Sequence, residues 1–248
     1  MVEVNKIYNE DCLEGMKGIA DGSVDMILCD LPYGTTQCKW DTVIPFEPLW
    51  EQYKRVIKSN GAIVLTASQP FTSALVMSNP KMFRYCWVWN KKFSGNFTLA
   101  KYQPMKIHED ICVFSKKAAV YIPQMTQRSK PIVNGGNKCA SESARFGSKY
   151  RKEGFKKTYT EKYPESILMY SSRAEKRGLH PTQKPVALFE YLIKTYTNPG
   201  ELVLDNCMGS GTTAIACMNT NRNFIGFEMD KGYYDIACKR IAEHEESK

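Results

Sequence analysis

An acidic residue and an aromatic residue lie three positions apart in the stretch ILCDLPYG, residues 27–34. Asp30 follows an apolar run that predicts a buried strand, and Pro32 and Gly34 end that strand because neither continues a hydrogen-bonded ladder easily. A turn alone does not require a carboxylate beside a ring. The carboxylate of Asp30 can accept hydrogen bonds from a ligand and the ring of Tyr33 can stack on one, so this stretch is a candidate site.

A second candidate site is LVLDNCMGSGTTAIA, residues 202–216, which predicts a strand, a turn and a helix. Gly209 and Gly211 remove side chains where a ligand must approach the backbone, and the helix start offers free N–H groups. Asp205 ends this strand and Glu228 ends the next, where a carboxylate commonly binds ribose hydroxyls. The patterns GxGxxG and GxxxxGK[ST] are both missing, which favours an adenosine-type ligand without a pyrophosphate. A tight turn followed by ordinary strand-ending acids is the alternative.

Alternating strands and helices are expected to position these residues. This order predicts an α/β fold with a mostly parallel sheet and helices on both faces. Asp30 and Asp205 would then lie at the carboxyl edge of the sheet. The predicted strands are 24–29, 62–67, 83–90, 108–116, 201–205 and 223–228, and the predicted helices are 45–58, 71–77, 184–196, 211–219 and 231–245.

The positive charge of the chain is concentrated in one segment. The net charge is +8, and residues 116–178 contain 15 Lys or Arg against 5 Glu and no Asp. Tyr and Phe interleave with these cations, which suits the phosphates and bases of a nucleic acid. A solvated, charged insertion is the alternative, and an irregular structure is expected. The candidate DNA-binding residues are Arg145, Lys149, Arg151, Lys152, Lys156 and Lys157.

Composition excludes several other classes of protein. No apolar run approaches a membrane span, and the first residues, MVEVNKIYNEDC, lack the apolar core of a signal peptide, so no membrane association and a cytoplasmic location are expected. The nine cysteines form no CxxC pair and the chain has only three histidines. We therefore expect reduced thiols and no metal site. A length of 248 residues fits one domain with an inserted module.

Three motifs in order resemble those of a known enzyme family. DLPY at 30–33 resembles the [DNS]PP[YFW] motif of exocyclic-amino DNA methyltransferases, and DNCMGSG at 205–211 resembles their S-adenosylmethionine loop, DxFxGSG. HPTQKP at 180–185 resembles the segment before that loop. The catalytic motif comes first, the basic region second and the cofactor loop last, which is the permuted order of the β class. The resemblance covers nearly the whole chain except residues 116–178.

The resemblance implies a fold and a division of the chain. The fold would be the Rossmann-like, S-adenosylmethionine-dependent methyltransferase fold, circularly permuted and carrying a basic target-recognition insert. Residues 1–115 would form the catalytic half, 116–178 the insert, and 179–248 the cofactor-binding half. Two residues depart from the family pattern. Leu31 replaces its usual first proline, with a less rigid backbone, and Cys207 replaces its usual phenylalanine.

The resemblance also implies a chemical role for each residue of DLPY. Asp30 and the backbone carbonyl of Leu31 would accept the two N–H bonds of the exocyclic amine of adenine and localise its lone pair. Pro32 would fix the turn. Tyr33 would stack on a base flipped out of the duplex, a contact worth about 1–3 kcal/mol.

The cofactor contacts implied by the resemblance surround S-adenosylmethionine. Asp11 and Cys12 would meet its adenine ring, although a helix cap is an equal alternative for Asp11. Residues 91–107 are expected to form a loop over the target base. The other implied contacts are Asp205 and Cys207 in the loop, Gly209, Ser210 and Gly211 under the cofactor, Glu228 on its ribose, and Thr182, Gln183 and Lys184 near its amino-acid end.

The expected activity is transfer of a methyl group from S-adenosylmethionine to N6 of adenine in double-stranded DNA. The Asp in DLPY favours adenine, because Ser is commoner there among the cytosine-N4 enzymes. Cytosine N4, RNA or a protein glutamine amide remain alternative acceptors, and a DNA-binding protein with decayed catalysis is an alternative from another class. The family also suggests a homodimer and a cognate restriction endonuclease as partners.

Overall fold

Strands and helices alternate along the first part of the chain and again along its last part. The computed structural model describes residues 2–35, 41–134, 157–173 and 183–246. The strands in these residues are β1 (Lys6–Tyr8), β2 (Val24–Asp30), β3 (Ile57–Ala67), β4 (Phe83–Asn90), β5 (His108–Phe114), β6 (Thr126–Asn134), β7 (Lys157–Lys162), β8 (Ile167–Met169), β9 (Leu202–Asp205) and β10 (Asn223–Phe227).

Eight of these strands form one sheet in the order β1-β10-β9-β2-β3-β5-β4-β8. The pairs are parallel except on either side of β5, which runs antiparallel to both β3 and β4. The mostly parallel sheet predicted from the sequence is therefore confirmed. Strands β2, β3, β9 and β10 run in the same direction, so their carboxyl ends lie at one edge of the sheet.

Helices cover both faces of this sheet. Along β2, Ile27 and Cys29 belong to one apolar cluster, while Met26 and Leu28 belong to another, because successive strand side chains point to opposite faces. Helices α1 to α3 contribute to the first cluster and α4 to α6 to the second. The helices are α1 (Cys12–Met16), α2 (Phe46–Val56), α3 (Phe71–Ser78), α4 (Val186–Tyr196), α5 (Thr212–Asn219) and α6 (Lys231–Glu246).

The patterns predicted the longer elements well and missed the short ones. The strand predicted at 83–90 has those bounds in β4, and the predicted helices match α2 to α6 to within a few residues. Strand β1 and helix α1 were not predicted, because three and five residues are too short to show a period. Among the described residues, no helix is both long and apolar enough to cross a membrane.

A second compact unit comprises Pro123–Glu165 and lies inside the predicted insert. It contains β6 and β7, which pair antiparallel, with Gln127 opposite Glu161 and Val133 opposite Thr158. The prediction of irregular structure was wrong here, because backbone pairing holds these strands despite their low apolar content. Lys157 begins β7. The other candidate DNA-binding residues, Arg145, Lys149, Arg151, Lys152 and Lys156, lie outside the described residues.

Candidate active site

A cavity of about 420 Å³ opens at the carboxyl edge of the sheet. Strands β2 and β9 are neighbours, with Ile27 opposite Leu204, so the residues that end these strands lie side by side. The structure thus brings the two candidate sites together, as the sequence predicted. The predicted site residues that line the cavity are Asp11, Cys12, Asp30, Leu31, Pro32, Tyr33, Gln183, Lys184, Asp205, Cys207, Gly209, Ser210 and Glu228.

Three side chains donate hydrogen bonds to the carboxylate of Asp30. Its Oδ1 accepts from the Tyr33 hydroxyl at 2.8 Å and from the Thr66 hydroxyl, and its Oδ2 accepts from Lys184 Nζ at 2.6 Å. A carboxylate offers about four acceptor positions, so one position on Oδ2 has no donor among these three. Thr66 was not predicted as a site residue. The one polar residue in the buried run AIVLTA was the signal for it.

The ring of Tyr33 already has an aromatic neighbour. It stacks on Phe71 with ring centroids 5.2 Å apart and an angle of 26° between the planes. A base that stacks on Tyr33 must therefore use the other face of the ring. Burial raises the pKa of the Tyr33 hydroxyl well above its usual value, and the negative charge of Asp30 is the second cause of this increase. The hydroxyl therefore stays protonated and donates a hydrogen bond to the Asp30 carboxylate.

Lys184 is a buried cation in the segment directly before α4, which begins at Val186. Its side chain is 7% exposed, and Nζ lies 2.6 Å from Asp30 Oδ2 and 3.5 Å from Glu109 Oε2. Burial lowers the pKa of Lys184, but the two carboxylates outweigh burial and raise it, so the amine stays charged. The sequence placed Lys184 at the amino-acid end of a cofactor. The structure puts its ammonium group on Asp30, at the wall of the cavity.

The glycine turn between β9 and α5 depends on backbone conformations that other residues rarely adopt. Gly209 and Gly211 have φ angles of 54° and 83°. A Cβ on Gly211 would also lie 3.2 Å from Ala237 Cβ in α6. Ser210 is buried, and its carbonyl accepts a hydrogen bond from Arg240 at 3.2 Å. Gly211 is the N-cap of α5 and is not among the residues that line the cavity.

Asp205 holds the start of the glycine turn. Its Oδ1 accepts the backbone N–H of Cys207 at 3.0 Å and its Oδ2 accepts the hydroxyl of Thr213. Burial raises the pKa of the Asp205 carboxyl to about 6. Cys12 and Cys207 lie together beside this turn, because Asn206 Nδ2 is 3.5 Å from both sulfurs.

Glu228 connects the end of β10 to the glycine turn. Its Oε2 accepts the N–H of Gly209 at 2.7 Å and its Oε1 accepts the N–H of Asp230 at 2.8 Å. Burial raises the pKa of Glu228. The carboxylate has about four acceptor positions, so the N–H groups of Gly209, Asp230 and Met229 leave room for a ligand hydroxyl. Asp11 caps helix α1, accepting from the N–H groups of Leu13 and Glu14, so the alternative role is observed although Asp11 also lines the cavity.

These residues fit S-adenosylmethionine. The glycine turn brings backbone to the cavity without side chains, and the Glu228 carboxylate beside it suits ribose hydroxyls. Of the predicted cofactor residues, Thr182 lies outside the described residues. Within the part of the chain that the structure describes, no group of three His, Cys, Asp or Glu is placed to hold a metal ion.

Comparisons with known proteins agree with this geometry. The family model N6_N4_Mtase, described as a DNA methylase, matches residues 24–239. The chain is 26% identical to the type II methyltransferase M.HpaI of Haemophilus parainfluenzae, covering 95% of this chain and 74% of that protein. It is 28% identical to the DNA adenine methyltransferase YhdJ of Escherichia coli strain K12, covering 96% of this chain and 83% of that protein.

A solved structure also resembles the chain. The crystal structure of the M1.HpyAVI–SAM complex aligns with a TM-score of 0.65 and 27% identity, covering 95% of this chain and 98% of that one. The Rossmann-like methyltransferase fold expected from the motifs is therefore confirmed, as is S-adenosylmethionine as the cofactor. The family match spans most of the chain and includes both DLPY and the glycine turn. The chain therefore belongs to the N6_N4_Mtase family of DNA methylases and is an S-adenosylmethionine-dependent DNA methyltransferase.

Proposed function

We propose that this protein is a site-specific methyltransferase that acts on N6 of adenine in double-stranded DNA. The observation that carries the proposal is the Asp30 carboxylate, which lies in the same cavity as the glycine turn. An aspartate at the start of DLPY, together with the Leu31 carbonyl, supplies two acceptors for the two N–H bonds of an exocyclic amine.

The residues of this site act on the acceptor amine. The lone pair of an adenine amine is delocalised into the ring, which makes the nitrogen a poor nucleophile. Asp30 and the Leu31 carbonyl accept its N–H bonds and direct the lone pair toward the glycine turn. S-adenosylmethionine would supply, when bound, a methyl group whose bond to the positively charged sulfur breaks as the N–C bond forms, leaving a neutral thioether. Asp30 then accepts the proton that the methylated nitrogen must lose.

The remaining residues of DLPY hold the base and the turn. The target base must leave the duplex to reach Asp30, and Tyr33 stacks on it through the ring face opposite Phe71. This contact contributes about 1–3 kcal/mol, which is comparable to the cost of unstacking a base. Pro32 restricts the backbone between the carboxylate and the ring.

The residues that line the cavity support the cofactor contacts that we propose. Gly209 and Ser210 line the cavity and support the cofactor, Gly211 sets the turn as the N-cap of α5, and Glu228 binds the ribose hydroxyls. Gln183 lies at the amino-acid end, next to Thr182 and Lys184 in sequence, while the Lys184 ammonium is held by Asp30, and Asp205 holds the turn. The adenine end of the cavity is lined by Asp11, Cys12 and Cys207.

DNA recognition belongs to the basic insert, residues 116–178. Its excess of Lys and Arg supports contact with phosphates, which position a duplex, while base contacts provide the sequence preference. Family resemblance alone supports three further proposals: a homodimer, a cognate restriction endonuclease that acts at the same site, and a cytoplasmic location.

Identifying the methylated nucleoside tests the activity. The protein is incubated with labelled S-adenosylmethionine and whole-genome-amplified DNA, which carries no prior methylation and contains every short site. The DNA is then digested to nucleosides and separated. We expect label in N6-methyladenine. Label in N4-methylcytosine would refute the adenine assignment, and protein that binds DNA without transferring label would favour decayed catalysis.

A further inference from the structure

Four side chains of alternating charge form a chain that ends at Asp30. Lys184 Nζ lies 2.6 Å from Asp30 Oδ2 and 3.5 Å from Glu109 Oε2. Glu109 Oε1 in turn lies 3.0 Å from Lys91 Nζ. Glu109 belongs to β5 and is 14% exposed, so this carboxylate is removed from most solvent. None of the sequence motifs includes it.

The two oxygens of Glu109 are in different situations. Oε1 accepts a hydrogen bond from Lys91, which keeps the carboxylate from turning away. Oε2 is buried and has no hydrogen-bond partner among the described residues. The Lys184 ammonium is 3.5 Å from this oxygen, which is too long for a good hydrogen bond. A movement of the ammonium by less than about 1 Å would form one.

Glu109 and Lys184 both stay charged at neutral pH. Burial raises the pKa of Glu109, but the charges of Lys184 and Lys91 outweigh burial and lower it. Lys184 remains an ammonium for the matching reason. The Lys184 ammonium therefore has two carboxylates within reach, and it makes a hydrogen bond of normal length only to Asp30.

The position of Lys184 on Asp30 conflicts with the proposed transfer. The ammonium takes one of the two acceptor positions on Oδ2, which leaves a single position on that oxygen for an amine N–H. As the new N–C bond forms, the amine nitrogen becomes positively charged, and a cation on the same carboxylate opposes that charge. A second carboxylate that draws the ammonium away would relieve both effects.

We propose that Glu109 is a positioning residue for methyl transfer, which takes the Lys184 ammonium from Asp30 when the acceptor amine enters. This inference rests on the proposed function, in that Asp30 receives an exocyclic amine, and it holds for adenine or cytosine. Glu109 touches neither the base nor the reacting atoms. It acts through Lys184, and its effect belongs to the transfer step.

The test compares Glu109→Gln with the unchanged protein. Glutamine keeps the shape of the side chain and removes its charge. The measurements are the single-turnover rate of total label transfer into whole-genome-amplified DNA at saturating cofactor, and the cofactor Kd by titration. We expect the rate to fall about tenfold or more, since a hydrogen bond to a charged group is lost. We expect the cofactor Kd to stay within about twofold.

A double-mutant cycle separates this role from a structural one. If Glu109 acts through Lys184, adding Glu109→Gln to Lys184→Met leaves the rate of the Lys184→Met protein unchanged. Glu109→Asp should recover part of the rate, because it retains the charge. The control is Asp110→Asn, which removes the neighbouring carboxylate, bonded to Thr72, and should leave the rate unchanged. Thermal unfolding of each variant verifies that it folds.

Three outcomes would overturn the inference. An unchanged rate in Glu109→Gln would do so, as would a loss of the same size in the Lys184→Met background, or a loss confined to cofactor affinity. Total label is counted regardless of the base, so transfer to cytosine would refute the adenine assignment and leave this test valid. An unchanged protein that transfers no label would refute the proposed function and this inference with it.

Discussion

The Lys184 ammonium lies 2.6 Å from the Asp30 carboxylate, although the two residues are 154 positions apart in the chain. Lys184 belongs to the segment before α4, and Asp30 ends β2. Their contact joins the segment before α4 to the carboxyl end of β2 through one ion pair. The pair is buried on the lysine side, so breaking it without a substitute partner leaves an uncompensated charge.

Replacing Asp30 should abolish transfer and spare cofactor binding. Asp30→Asn retains the size of the side chain but loses the charge that accepts the amine and its proton. We expect the single-turnover rate to fall about a hundredfold or more, as for loss of a group that stabilises developing charge. Label transfer and cofactor titration measure the two effects. Asp21→Asn, at an exposed aspartate paired with Arg55, is the control, and a fully active Asp30→Asn protein would contradict the mechanism.

Thr66→Val tests whether the hydroxyl under Asp30 orients the carboxylate. Valine matches threonine in shape and removes the donor to Oδ1. We expect a rate about tenfold lower, because a hydrogen bond to a charged acceptor contributes about 1.5–3 kcal/mol. Thr195→Val removes another buried hydroxyl, bonded to the Tyr191 carbonyl in α4, and should leave the rate as it was. Equal losses in both variants would argue for a general packing effect.

Gly211→Ala should destabilise the fold and weaken cofactor binding. At a φ of 83° an alanine is strained by about 1–3 kcal/mol, and its Cβ would crowd Ala237 at 3.2 Å. Urea unfolding and cofactor titration measure the change. Gly22→Ala has a similar φ of 59° but no atom within 4 Å of the added Cβ, so it isolates the backbone strain. Our account of the crowding fails if Gly211→Ala loses no more stability than Gly22→Ala.

The Asp205 carboxyl should make stability depend on pH between about 4 and 6. Burial raises its pKa from 3.8 to about 6, so the folded protein favours the neutral form. The stability it contributes is present below pH 4 and is lost as the pH rises through 6, because the unfolded chain then releases its proton more readily. Relative to the unchanged protein, Asp205→Asn should gain about 3 kcal/mol between pH 4 and 7.

Urea unfolding of both proteins at several pH values measures this difference. Asp235→Asn, at an exposed aspartate in α6, serves as the control for the same substitution outside the core. A difference in unfolding free energy that stays constant from pH 4 to 7 would show that the Asp205 carboxyl does not titrate in this range.

Local patterns determined the main elements and two of the motifs. The continuous apolar run before Asp30 predicts a strand without any knowledge of its neighbours. A strand in a parallel sheet is buried on both faces and is therefore apolar along its whole length. The glycines at 209 and 211 predict a turn because glycine adopts backbone angles that exclude most other residues. Both have a positive φ in the structure. Motif order then placed both sites in one family. The element and turn inferences need only neighbouring residues, and the family inference needs only the order of motifs along the chain, so the sequence alone contains them.

The surroundings of Asp30 were decided by the tertiary structure. Thr66 from β3 and Lys184 from the segment before α4 donate hydrogen bonds to Asp30, and Glu109 from β5 lies beside Lys184. No spacing in the sequence connects these contacts to Asp30. Strand pairing brings Thr66 opposite Asp30 and sets Asp110 opposite Ala67, next to it. Such contacts depend on which strands become neighbours. Local patterns carry little information about that order, because it is selected by packing across the whole sheet.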